Sequence, residues 1–158
     1  MTDEMKRDYT RRISQSSRTE IIVILYELAI NYMQDEKDML DAGNHEGARD
    51  ESLSAQRVFG DLIGSLDFSY EIAMPLFRVY EYLNKQVSMA VIRNNSEMLV
   101  DAIRLTKSLK ESFDKLASMD TSGPVMGNTE AVYSGLTYGK GSLNDSVVVG
   151  GDNRGYMA

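Results

Sequence analysis

Between residues 17 and 119 apolar side chains recur every three to four positions, in four runs separated by short polar breaks. A helix with one apolar face must bury it, and isolated helices of this length are marginal in water. Four such runs of about 20 residues with short links predict an all-α fold, an antiparallel up-down four-helix bundle. Almost no strand-like alternation competes before residue 121.

The first run opens on Ser17 and Glu20, the spacing of a capping box, in which each side chain satisfies the other's free backbone N–H. Ile21, Leu25, Leu28 and Tyr32 share a face, widened by Ile22, Ala29 and Met33. Gly43 suits a left-handed C-terminal cap, and Asn44 suits the N-cap of the next helix. The second run carries Ala48, Ala55, Phe59, Leu62, Ile63 and Leu66. Its Gly60 and Gly64 each cost about 1 kcal/mol inside a helix, so they are read as points of close approach to a neighbouring helix. Pro75 has no N–H and fits only a first helical turn. Residues 67–74 are therefore expected as a turn, or a frayed turn of helix, ahead of a third helix to about residue 93. Ser96 is the expected cap of a fourth helix bearing Leu99, Ala102, Ile103, Thr106, Leu109, Phe113 and Leu116.

Composition changes near residue 121, after which lie eight of the 12 glycines. The expected organisation is an N-terminal arm (1–16), a helical bundle (17–119) and a Gly-rich tail (120–158). The arm carries two apolar residues, Tyr9 and Ile13, which could lie on the bundle. The tail spaces Tyr133, Leu136, Tyr138, Leu143, Val147 to Val149 and Tyr156 among its glycines. It reads either as a flexible extension or as a tethered placeholder for a groove on the bundle.

The net charge of −7 disfavours nucleic acid and anionic membrane surfaces as partners. The N-terminus is charged throughout, and the longest apolar run, 21–26, is far too short to cross a bilayer. A cytoplasmic protein without stable membrane insertion is expected, which the absence of cysteine fits. With no cysteine and one histidine, His45 in an expected turn, no metal site, no cofactor and no nucleophile–base pair is expected. The stretch GLTYGKGS departs from a phosphate loop: three residues separate Gly135 from Gly139, and Gly141 follows Lys140. Enzymatic activity is not expected.

Apolar surface remains. In the third run Leu76, Tyr80, Leu83, Val87 and Ala90 form one face, while Phe77, Val79, Tyr82 and Met89 point elsewhere. Tyr9, Ile13, the QSSR cap at 15–18 and LYELAI at 25–30 form one block. A second block comprises Leu66, Asp67, Glu71, Ile72, Leu76, Val79, Tyr80 and Tyr82. With these blocks the chain resembles the FliS family, the flagellar export chaperones for flagellin. The resemblance implies a compact antiparallel helical bundle. It also implies a partner, the C-terminal segment of newly made flagellin, held in the cytoplasm, kept from polymerising and presented to the flagellar export gate. The surplus apolar face would be the docking groove. Client contacts are expected from Tyr26, Val79, Tyr80 and Tyr82, which match motif positions, and from Ile22, Leu83 and Met89 by helix-face geometry. The alternative reading is a helical adaptor for another protein partner. Oligomeric state is left open.

Overall fold

The computed structural model describes residues 1–126, which form five helices and no strand. They are α1 (Asp3–Ser14), α2 (Arg18–Asp41), α3 (His45–Gly64), α4 (Ala73–Ile92) and α5 (Met98–Met119). Residues 127–158 lie outside the described part, and with them the tail tyrosines Tyr133, Tyr138 and Tyr156 and the GLTYGKGS stretch.

Local chemistry sets the helix ends. Ser17 accepts from the Glu20 N–H (3.3 Å) while the Glu20 carboxylate accepts from the Ser17 N–H (2.8 Å), so the capping box forms as expected. At the far end of α2, Gly43 adopts φ +74° and Asn44 N–H donates to the Met39 carbonyl (2.9 Å), a Schellman closure. Asn44 then caps α3 by accepting from Gly47 N–H (3.0 Å). His45 is thus the first residue of α3 rather than part of the turn. Helix α4 starts two residues before Pro75, and Asp67 holds the preceding turn by accepting from Ser69 N–H (3.0 Å). Its end repeats the Schellman closure with Asn94 at φ +48° and Asn95 N–H donating to the Ala90 carbonyl (2.9 Å).

Two further local expectations are corrected. Ser96 does not cap α5: its hydroxyl donates to Asp41 at the end of α2 (2.5 Å). The first turn of α5 instead tightens, with Leu99 N–H on the Ser96 carbonyl and Val100 N–H on the Glu97 carbonyl. Gly60 marks no close approach, since it is exposed and a Cβ there would meet nothing within 4 Å. The arm is itself a helix, because Thr2 caps it, Asp3 and Glu4 occupy its first turn and Arg11 and Arg12 its last, all favourable to the helix dipole.

Helix α2 packs on α3 and α5, and α4 packs on the same two, so four helices enclose one core. That core holds Ala29 and Met33 of α2, Ala55, Phe59 and Leu62 of α3, Leu76, Leu83, Val87 and Ala90 of α4, and Leu99, Ala102 and Ile103 of α5. Burying a side chain of the Leu, Phe or Met class contributes about 1.5–3 kcal/mol. Helix α1 lies on α2. Ile13 is buried, Tyr9 Oη accepts from Asn31 Nδ2 (2.6 Å), and Arg12 donates to Glu27 (2.8 Å). No described helix is long and apolar enough to cross a membrane.

Candidate functional site

One end of the helix cluster carries an open apolar groove of about 520 Å³. The start of α2 contributes Ile22 to it, and the link from α3 to α4 contributes Leu66, Tyr70 and Ile72. Leu76 and Tyr80 of α4 line it, and the last turns of α5 add Phe113, Leu116 and Met119. Three large apolar residues of the link, Phe68, Tyr70 and Ile72, are exposed, Tyr70 by 67% and Ile72 by 61%, as is Met74 in the first turn of α4. A short turn has no helical face on which to bury them. Leu116 and Met119 are exposed opposite them. So dense an apolar cluster on the surface makes this groove the candidate interaction site.

The floor is firm. Tyr26 of α2 and Tyr80 of α4 hydrogen-bond hydroxyl to hydroxyl (2.5 Å) with ring centroids 6.2 Å apart. The Phe113 ring meets Tyr26 edge-on at 5.4 Å. Burial pushes both phenols above their ordinary pKa, so both stay neutral, and one hydroxyl donates to the other. The rim is polar. Asp120 accepts from the Ser122 hydroxyl and N–H and from Thr19 Oγ1 (2.9 Å), which together hold its carboxyl well below the usual range. Arg18 and Asp67 flank the same opening.

The seven residues expected from sequence do not form one surface. Ile22 is half-buried and lines the groove. Tyr26 and Leu83 are fully buried and Tyr80 nearly so, because the core stripe of α4 and the inner face of α2 claim them; only Tyr80 borders the groove. Val79 and Met89 are half-buried and Tyr82 is 47% exposed, on α4 but outside the groove lining. The arm residues Tyr9 and Ile13 line a different cleft, with Leu28, Tyr32 and Arg57. Leu66, placed by sequence on the second run, and Ile72, in the expected turn, line the groove though neither was expected as a contact. Tyr70, Leu116 and Met119 were missed. For Tyr70 the available signal was the run of large apolar residues just ahead of Pro75.

No group of three or more His, Asp or Glu among the described residues is arranged to hold a metal. The family model for flagellar protein FliS matches residues 1–120. The chain belongs to the FliS family. FliS proteins serve the flagellum as chaperones and are not an enzyme family. The FliS match spans all five helices and ends where the groove's last wall ends, beside Asp120. No curated protein matches the chain at a significant level.

Proposed function

We propose that this FliS protein binds the C-terminal segment of flagellin in the end groove, covers its polymerising face in the cytoplasm, and delivers it to the flagellar export gate. The supporting observation is the groove itself: an apolar cleft whose walls, Ile72, Leu116 and Met119, are left in water by a family member with chaperone duty. In this reading the helices α2 to α5 run antiparallel, up and down. The start of α2, the α3–α4 link and the end of α5 then meet at one end, and Ser96 meets Asp41 at the other. Buried Tyr26, Tyr80 and Leu83 support the groove from beneath, and Ile22 touches the client. Val79, Tyr82 and Met89 on α4 take a second stretch of the same client as it wraps.

Each 100 Å² of apolar surface removed from water contributes about 2.5 kcal/mol. Ordering a disordered client opposes this by several kcal/mol, which leaves binding firm yet reversible. Titration calorimetry with the flagellin C-terminal segment tests the reading. Ile72→Glu and Leu116→Glu alter exposed side chains and leave the core intact. Each is expected to weaken binding at least about tenfold, as charged groups in an apolar contact centre do. Tyr82→Glu is expected to weaken it less. Unchanged affinity in both groove variants would refute the groove as the docking site.

A further inference from the structure

The course of the chain after α5 bears on what covers the groove in the absence of a client. Helix α5 ends at Met119, on the groove wall. The next residue, Asp120, is tied to Thr19 across the groove's edge. Val125 N–H then donates to the Ser16 carbonyl (3.3 Å), in the link between α1 and α2. The chain therefore leaves the described part beside the groove mouth and not at the remote end. Thirty-two residues follow, 127–158.

Two clefts flank that exit. One is lined mainly by polar groups, Arg12, Gln15, Glu20, Glu27 and Asp114 among them. The other is the apolar groove. The first apolar cluster of the tail, AVYSGLTY at 131–138, contains no charged residue. It begins five residues after Met126, and a flexible linker of that length spans roughly 12 Å. A tethered segment of this kind has an effective concentration of about mM, so weak apolar contacts suffice. The tail as a whole nearly balances its charge, Glu130, Asp145 and Asp152 against Lys140 and Arg154, so the acidic bundle does not repel it.

We propose that residues 131–138 occupy the apolar end groove of the same chain when no client is bound, Tyr133, Leu136 and Tyr138 covering Ile72, Leu116 and Met119. The proposal rests on the groove being the client site only for its consequence, that client and tail compete. The occupancy itself is tested without a client. Because the chain has no cysteine, two can be introduced without a background reaction. In the full chain, Leu136→Cys is combined with either Leu116→Cys, on the groove wall, or Asp114→Cys, on the polar cleft. The two sites stand two residues apart on α5 and line different clefts.

Under mild oxidation the Leu116→Cys pair is expected to form its intrachain disulfide at least about tenfold faster than the Asp114→Cys pair. Equal rates, or faster closure at Asp114→Cys, would overturn the proposal. Circular dichroism and thermal unfolding of each reduced double variant establish that both are folded. A hydrophobic dye supplies an independent readout: Tyr133→Ser with Leu136→Ser and Tyr138→Ser is expected to bind several times more dye than the natural chain, and no increase would also overturn it. Adding the flagellin C-terminal segment separates the two readings. Slower closure at Leu116→Cys supports both, whereas unaltered fast closure upholds tail occupancy and removes the groove as client site.

Discussion

Glu36 offers the sharpest test of the packing described here. It sits on α2 in line with Met33 and Leu40, fully buried, and neither carboxyl oxygen has a protein hydrogen-bond partner. Burial, with the nearby Glu51 carboxylate adding to it, raises its pKa from 4.5 to about 8. The folded state thus keeps the proton in a pH range where the unfolded chain has released it. Stability from this difference is fully present below the unfolded value, about pH 4.5, and is lost as pH rises through about 8. Across that window each pH unit removes at most about 1.4 kcal/mol. Relaxation and water entry around a buried ion reduce the ideal total, so roughly 2–3 kcal/mol of pH-dependent loss is expected.

The perturbation is Glu36→Leu, which fills the site with a side chain that does not titrate. Urea unfolding followed by far-UV circular dichroism, at fixed salt, gives stability at about pH 5 and about pH 8.5. The variant is expected to gain on the natural chain by roughly 2–3 kcal/mol between the two conditions, because only the natural chain must ionise a buried carboxyl. Glu51→Gln is expected to reduce the natural chain's pH dependence in part, since it removes the like charge and leaves the burial. A stability difference between Glu36→Leu and the natural chain that does not change with pH would refute the argument.

The tyrosine pair beneath the groove makes a second prediction. Tyr80→Phe or Tyr26→Phe alone leaves a buried hydroxyl unpaired and is expected to cost about 1–3 kcal/mol, whereas the double variant costs less than the sum, read by urea unfolding of all four chains. Gly60 and Gly43 make a third. Gly60→Ala is expected to stabilise by about 0.5–1 kcal/mol, since its site is helical and open, while Gly43→Ala destabilises by a similar amount because φ is +74° there; thermal unfolding distinguishes the signs.

Features governed by neighbours in the chain were legible in sequence. The Ser17–Glu20 box, the Gly43 closure and the Asn44 cap each need only residues within one turn, and all three form. The buried face of α4 was legible too, since period specifies which residues share a side. Period does not specify depth. Tyr26 and Tyr80 carry the pattern of either a core or an interface residue, and only packing between distant segments, Phe113 against Tyr26 among it, buries them. Gly60 has the same signature whether it faces a helix or water. Ser96 had a partner in Asp41, 55 positions away, that local reasoning does not supply. The groove was hardest for the same reason: its walls come from the beginning of α2, the α3–α4 link and the end of α5.

Those separated origins have a mechanical consequence. The floor consists of helical residues held by core packing and by the tyrosine hydroxyl pair, so it is expected to keep its shape on binding. The link above it is held mainly by single-turn bonds, Tyr70 N–H to the Asp67 carbonyl (3.1 Å) and Ala73 N–H to the Tyr70 carbonyl (3.2 Å). Such a turn opens locally at far lower cost than the helices do. A fixed floor spares part of the ordering cost of binding, and a yielding rim lets Phe68, Tyr70 and Ile72 settle on an apolar surface of imperfect fit. If the groove is the client site proposed above, that division lets the floor set affinity and the link admit and release the client. Substitutions that stiffen the link without changing its apolar area should therefore slow both association and dissociation while leaving the equilibrium constant nearly unchanged.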